Sequence, residues 1–154
     1  MAIDDATILE KLERLRSLTS CDFIALALLQ EHAGCNRWQY VIGNSNDRYQ
    51  QMVIKKDQGL AGSVLRLGRW VKLDDTHPKR HQERLHCPLM LAEQLQTAAV
   101  FPLMPIVSSQ IRGLLFIGKR EQTSFEHDEL LAVQYNIDTL ASYLFVAEGG
   151  DAHE

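Results

Sequence analysis

The cysteines of this chain form no framework: Cys21, Cys35 and Cys87 are an odd set with no C-x-x-C spacing among 154 residues. Such a set argues against a disulfide scaffold and reads as reduced, mostly buried thiols. Basic charge is also scarce, 16 Lys and Arg against 20 Asp and Glu, for a formal net charge of -4. Without a basic excess there is no electrostatic footprint for a phosphate backbone, so nucleic acid is not expected as a partner. No apolar run is long enough to cross a bilayer. The beginning, acidic at Asp4 and Asp5, lacks the basic segment and apolar stretch of a secretory signal. A cytoplasmic protein with no membrane partner is the expectation. Internal repeats, low-complexity tracts and interdomain linkers are missing too. The length suits one domain, expected over residues 1–148, with a flexible, glycine-rich and acidic tail at 149–154.

What is present is a regular alternation of helix and strand signals. Thr7-x-x-Glu10 reads as a capping box, with Ile8, Leu12 and Leu15 at helical spacing behind it. Phe23 to Leu29 is a short apolar run, as expected of a strand covered on both faces. After a turn around Gly34, Arg37 to Ile42 predicts an antiparallel partner with Trp38, Tyr40 and Ile42 on one face. The turn formers Gly43 to Asp47 lead to an irregular piece around Met52-Val53-Ile54. A helix is predicted over Leu60 to Leu67, stopped at Gly68, and a short edge strand over Trp70 to Leu73. The polar stretch Asp74 to Arg84 reads as loop. Pro88 favours a second short helix, since proline suits a first turn whose N–H groups lack partners. Thr97–Ile106 and Ile111–Lys119 predict two strands joined through Ser108-Ser109-Gln110, with Pro102 and Pro105 at bulges or facing away from a neighbour. Thr123 to Glu126 reads as the cap of a last helix whose apolar side is Leu130, Val133, Ile137, Leu140 and Leu144. The order predicts an α+β sandwich: an antiparallel sheet with the terminal helices on one face and short segments closing a pocket on the other.

The tract Gln58-Gly59-Leu60-Ala61-Gly62-Ser63-Val64-Leu65 runs from a polar loop into a helix start without a basic side chain. A helix start is a cluster of unpaired N–H groups carrying partial positive charge, so backbone alone can hold a small anion there. The start of the second short helix, at Pro88, can face the same cavity. Glycines at 59 and 62 also have a purely structural reading, as turn and close-packing residues, and Trp38 reads equally as core or pocket wall.

Gly59-Leu60-Ala61-Gly62 with Gly68-Arg69, Val100-Phe101-Pro102-Leu103 leading to Gly113-Leu114-Leu115, and Phe125-x-x-Asp128-x-x-Leu131 together resemble the GAF domain family. The likeness extends from about Ile8 to Val146 and implies a PAS-like fold that binds a small molecule and signals through a partner. Asn36 to Tyr40, Gly43-Asn44, Asn46 to Tyr49 and Pro88-Leu89 resemble most the stand-alone nitrate-receptor members of that family. This resemblance implies a non-catalytic sensor, without a cofactor, that binds nitrate or a similar small anion. The implied site is Trp38, Gly59, Leu60, Ala61, Cys87, Pro88 and Leu89, with main-chain N–H groups as donors. It further implies a sensor histidine kinase as partner and a homodimer through the terminal helices. At Cys87 the pattern leads one to expect a tyrosine.

Other chemistries are weaker. His77, His81 and His86 beside Cys87 match no standard zinc or haem spacing and read as solvated histidines, while Asp74 and Asp75 read as a turn and Lys55-Lys56 as a solvated face. The enzyme alternative within the family is a free methionine sulfoxide reductase, which uses several cysteine thiolates where only Cys87 lies in a comparable region. Bilin attachment, cyclic-nucleotide binding and a ligand-free interaction module complete the alternatives.

Overall fold

The computed structural model describes residues 4–30, 35–105 and 108–145. The expected turn at Gly34, the end of the expected strand at Ile106 and the expected tail lie outside them. The first helix, α1, is Asp5–Thr19, and it presents Ile8, Leu12 and Leu15 inward, as their spacing predicts. Its N-cap is Asp4 rather than Thr7: the Asp4 carboxylate accepts from the Ala6 N–H at 3.2 Å and from the Thr7 hydroxyl at 3.0 Å. An ionised carboxylate at the positive helix end outcompetes a hydroxyl three residues on.

Five strands follow: β1 Phe23–Leu28, β2 Tyr40–Ile42, β3 Val71–Leu73, β4 Thr97–Leu103 and β5 Gly113–Lys119. They form one antiparallel sheet in the order β2-β1-β5-β4-β3. Phe23 lies opposite Gly118, Val100 opposite Phe116, and Val71 opposite Val100. Both β4 and β5 end sooner, or begin later, than the apolar runs predict. Pro102 sits beyond the end of β3, where no neighbour needs its missing N–H.

The two faces of the sheet are both buried, which explains why β1, β4 and β5 read as continuous apolar runs. Ile24, Leu26, Phe101, Leu115 and Ile117 face α1 and the last helix, α5, His127–Leu144. Phe23, Ala25, Val100, Leu114 and Phe116 face the opposite layer. That layer is built from a 3-10 turn at Arg48–Gln51 and three short helices, α2 Gly59–Leu67, α3 Arg80–Leu85 and α4 Pro88–Ala92. The α+β sandwich with terminal helices on one face and short helices on the other is thus the observed architecture.

Three local expectations are corrected. Trp38 does not share a face with Tyr40 and Ile42: it packs in the pocket-side core, while those two pack on the helix side. The N–H groups around Gln39 explain it, because Gln39 donates to Leu26 O at 2.9 Å although Leu26 is already opposite Tyr40. Two residues against one is a bulge, and it shifts the alternation by one position. The α5 cap is Glu126, in a reciprocal box with Glu129, three residues later than expected; the Thr123 hydroxyl is taken by Asp75 at 2.8 Å. Finally, the stretch expected to be loop contains α3. Its residues bury no apolar stripe, and it is held from outside its own sequence: Arg84 Nε donates to Leu95 O at 2.6 Å and Arg80 Nη1 to Gln96 O at 2.9 Å.

Candidate functional site

The pocket-side layer closes over a cavity of about 40 Å³. All of Trp38, Gly59, Leu60, Ala61, Cys87, Pro88 and Leu89 line it. Sequence reasoning missed Phe116 and the segment Met52 to Lys55, which complete the wall, together with Gln58. Phe116 carried no signal beyond its place in an apolar run. Lys55, whose setting in the sequence reads as a solvated face, borders the cavity while remaining exposed.

Two glycines bring the helix start to this place. Gly59 has φ +68°, and a Cβ on it would lie 3.2 Å from His86 O and 3.4 Å from Cys87 Cα. A Cβ on Gly62 would lie 2.7 Å from Lys55 O and 2.8 Å from Lys56 O. Hence α2 abuts the α3–α4 junction on one side, where the positive φ of Gly59 favours glycine, and the 52–56 segment on the other, at distances that leave no room for a Cβ on Gly62. The close-packing reading of these glycines therefore holds, and it is what forms the cavity.

The first hydrogen bond of α2 runs from Gly62 N to Gln58 O at 3.1 Å, so the N–H groups of Gly59, Leu60 and Ala61 precede the ladder. Gln58 makes no side-chain cap to them. In α4 the first such bond is Leu91 N to Cys87 O at 3.2 Å, which leaves Leu89 and Met90 N–H ahead of it, and Pro88 at the first turn has none. Cys87, 4% exposed, stands between the two helix starts. Burial raises its thiol pKa, against the opposing pull of the Met90, Leu60 and Leu89 N–H groups and of the Arg84 cation. The sulfur makes no helix-capping hydrogen bond, yet it lies close enough to share the Leu60, Leu89 and Met90 N–H dipoles.

Apart from Lys55 and Gln58, the remaining walls are apolar. Trp38 meets Phe116 edge-on, centroids 5.6 Å apart at 73°, and Phe116 meets Phe23 likewise at 5.9 Å and 82°. Trp38 is thus both core and wall. Among the described residues no carboxylate lines the cavity. Among the described residues no group of three or more His, Cys, Asp or Glu could hold a metal ion, and His77, His81 and His86 are exposed. Asp74 is a turn residue: its Oδ1 accepts from Thr76 N at 3.0 Å and its Oδ2 pairs with Lys72 at 3.0 Å. No helix among the described residues is long and apolar enough to cross a membrane.

A volume of about 40 Å³ admits on the order of three water-sized groups. That suits a small planar or triatomic anion and leaves no room for a nucleotide or a bilin. A weakly hydrated monoanion can give up its water there in exchange for aimed N–H groups. A dianion would need buried cations to offset its hydration, and the one cation among the described lining residues, Lys55, is exposed.

The sequence model of the GAF domain family matches residues 6–142, and the chain belongs to that family. No curated protein matches the chain. Among solved structures it is similar to a Staphylococcus aureus NreA protein mutated in its nitrate binding site, at 26% identity and a TM-score of 0.69, with 88% of this chain and 99% of that one covered. It shares its fold with the GAF domain of a Bacillus halodurans two-component sensor histidine kinase, at 22% identity and TM-score 0.70, covering 96% and 97% of the two chains. The fold also recurs in a Thermoplasma acidophilum type II free methionine-R-sulfoxide reductase, at 15% identity and TM-score 0.67, covering 90% and 89%. This chain is thus structurally close to NreA and has the same fold as the other two proteins.

Proposed function

We propose that the protein is a non-catalytic sensor that binds nitrate, or a similar small monoanion, in the 40 Å³ cavity. The N–H groups of Leu60 and Ala61 are the main donors and Leu89 a lesser one, because α4 is only five residues long and its dipole is weak. One observation carries the reading: unladdered amides of α2 border a small, mostly apolar cavity with no carboxylate among its described lining residues. The likeness to NreA supports the choice of anion. Charge-assisted hydrogen bonds contribute about 1.5 to 3 kcal/mol each before desolvation costs, so two or three give at best micromolar to millimolar binding. That range fits reversible sensing.

Occupancy is read by a partner histidine kinase in the cytoplasm, and the protein acts as a homodimer through its terminal helices. Leu9 and Leu18 of α1 and Tyr135 of α5, exposed by 38%, 48% and 77%, give those helices an outer apolar surface. The anion favours one arrangement of α2 and α4, and the partner binds the two arrangements unequally. A reductase reading has less support: Cys87 is the only thiol among the described residues that line the cavity, and burial raises its pKa, which disfavours the reactive thiolate.

Calorimetric titration with nitrate, chloride and sulfate tests the site. Nitrate is expected to bind and sulfate to give no heat. Ala61→Pro, which deletes one donor N–H, is expected to abolish binding, whereas Ala61→Gly retains it. Undiminished nitrate binding by Ala61→Pro would remove the backbone-donor mechanism.

A further inference from the structure

Successive residues of a strand face opposite sides of its sheet, and β5 runs out through two adjacent cations, Lys119 and Arg120. Phe116 and Gly118 face the cavity layer, Ile117 and Lys119 face the terminal helices, and Arg120 turns back to the cavity layer. Each cation meets a carboxylate at a helix end. Arg120 holds Glu93, the C-cap of α4, and the first turn of that helix borders the cavity. Lys119 Nζ lies 2.8 Å from Glu129 Oε1, in the capping box that opens α5, with both side chains largely buried. The two layers are thus joined, on either side of the sheet, through two consecutive residues of one backbone.

Glu93 uses only half of its carboxylate. The Ser45 N–H, the Ser45 hydroxyl and Arg120 Nη2 all donate to Oε1, while Oε2 is buried with no hydrogen-bond partner among the described residues. The other printed contacts of the guanidinium go to carbonyls, Nε to Glu93 O and Nη2 also to Gly43 O. Arginine and carboxylate have a second geometry, the two-point fork in which both oxygens accept. Forming it would satisfy Oε2 at the expense of the carbonyl bonds, and it would move the end of α4 against β5.

We propose that Arg120 and Lys119 form a two-sided lever that carries occupancy of the cavity from α4 to the start of α5. An anion between the α2 and α4 starts draws α4 toward α2. Glu93 passes from the one-oxygen hold to the fork, and the displaced Arg120 backbone shifts Lys119 against Glu129. Lys119 Nζ and the Glu126 N–H share the same Glu129 oxygen, so the box that caps α5 changes with it. α5 is then the output element, and only the trigger rests on the anion reading of the cavity.

Two measurements on the full chain test the lever. The first needs no ligand: urea unfolding of Glu93→Gln, Glu129→Gln and the double variant. Unlinked sites multiply their effects on the unfolding constant, whereas the double variant is expected to lie about fivefold from that product. The simple product should return when the cycle is repeated on Lys119→Met. In the second measurement sodium nitrate is titrated while the amide resonances of Glu129 and Leu130 are followed. They are expected to shift in the wild type and to stay still in Lys119→Met, although that variant gives the same nitrate heat in the calorimeter. Should Lys119→Met fail to fold, Arg120→Lys, which keeps the charge but cannot fork, replaces it with the same expectations. Simple multiplication in the first cycle, or α5 shifts undiminished by the variant, overturns the lever. Nitrate heat without a shift at α5 also overturns it and leaves the anion site standing. Absence of nitrate heat removes the anion site, and the urea cycle then decides the lever by itself.

Discussion

Arg120 Nη2 lies 2.6 Å from Glu93 Oε1, and the Glu93 carboxylate is wholly buried at the end of α4. The same guanidinium donates to the Glu93 carbonyl at 2.9 Å and to Gly43 O at 2.8 Å, while Arg120 N donates to Asp22 Oδ2 at 2.7 Å. Ser45 adds its N–H and hydroxyl to Glu93 Oε1 at 2.7 and 3.0 Å. One arginine therefore joins the helix that floors the cavity to the β2 turn and to the α1–β1 junction. Removing it leaves a buried carboxylate without its cation. Arg120→Ala is expected to cost about 3 to 5 kcal/mol, and the paired replacement Arg120→Met with Glu93→Leu to cost less than Arg120→Ala alone. Urea unfolding measures both; a loss below about 1 kcal/mol for Arg120→Ala would mean that the pair is effectively solvated.

Gly62 and Gly68 make an internal comparison. A Cβ at Gly62 would meet two backbone carbonyls at under 3 Å, whereas one at Gly68, φ +76°, meets nothing within 4 Å. Helix propensity alone favours alanine at 62 by about 1 kcal/mol, but overpacking against backbone costs about 1 to 3 kcal/mol or more. Gly68→Ala carries only the left-handed penalty, about 1 kcal/mol. Gly62→Ala should therefore be the more destabilising, and thermal melts showing the reverse order would contradict the close packing of α2 on Lys55 and Lys56.

Asp74 supplies a pH dependence. Burial opposes its charge, but the Thr76 hydroxyl and N–H and the Lys72 ammonium outweigh that and lower its pKa in the fold. A depressed carboxyl contributes stability that is complete above the ordinary carboxylate range and is lost as pH falls through the folded value. Asp74→Asn should therefore cost about 1 to 2 kcal/mol at neutral pH. The gap from the wild type should narrow below about pH 4. Urea curves at neutral and acid pH give the comparison, and a gap independent of pH would count against it.

The three thiols should separate by rate. Cys35 is exposed, while Cys21 and Cys87 are buried and both have raised pKa values, burial being the main cause for each. Iodoacetamide is expected to label Cys35 rapidly and the other two only through opening of the fold. If Cys87 were labelled as fast as Cys35 in native buffer, the buried, protonated thiol described above would be wrong.

Much of the fold was legible because burial on two faces leaves long apolar runs, and because Gly68 and Pro88 mark a helix end and a helix start. The gathering of the seven expected lining residues at one cavity was legible for a related reason: the α2 and α4 starts carry distinctive local sequences. What escaped depends on partners distant in sequence. Nothing near Arg80 and Arg84 announces the carbonyls of Gln96 and Leu95 that hold α3 in place. Trp38 was assigned the wrong face because the slip at Gln39 leaves the residue pattern unchanged while inverting its meaning. Thr123 looks like a cap until Asp75, nearly fifty positions earlier, takes its hydroxyl.

The strand order has a consequence for synthesis. β1 lies in the sheet between β2, which follows it closely, and β5, whose Gly118 must reach Phe23. At translation speeds of about 5 to 20 residues per second, the apolar edge of β1 waits several seconds for its long-range mate. During that interval the nascent chain presents an uncovered ribbon edge, the feature most prone to wrong association.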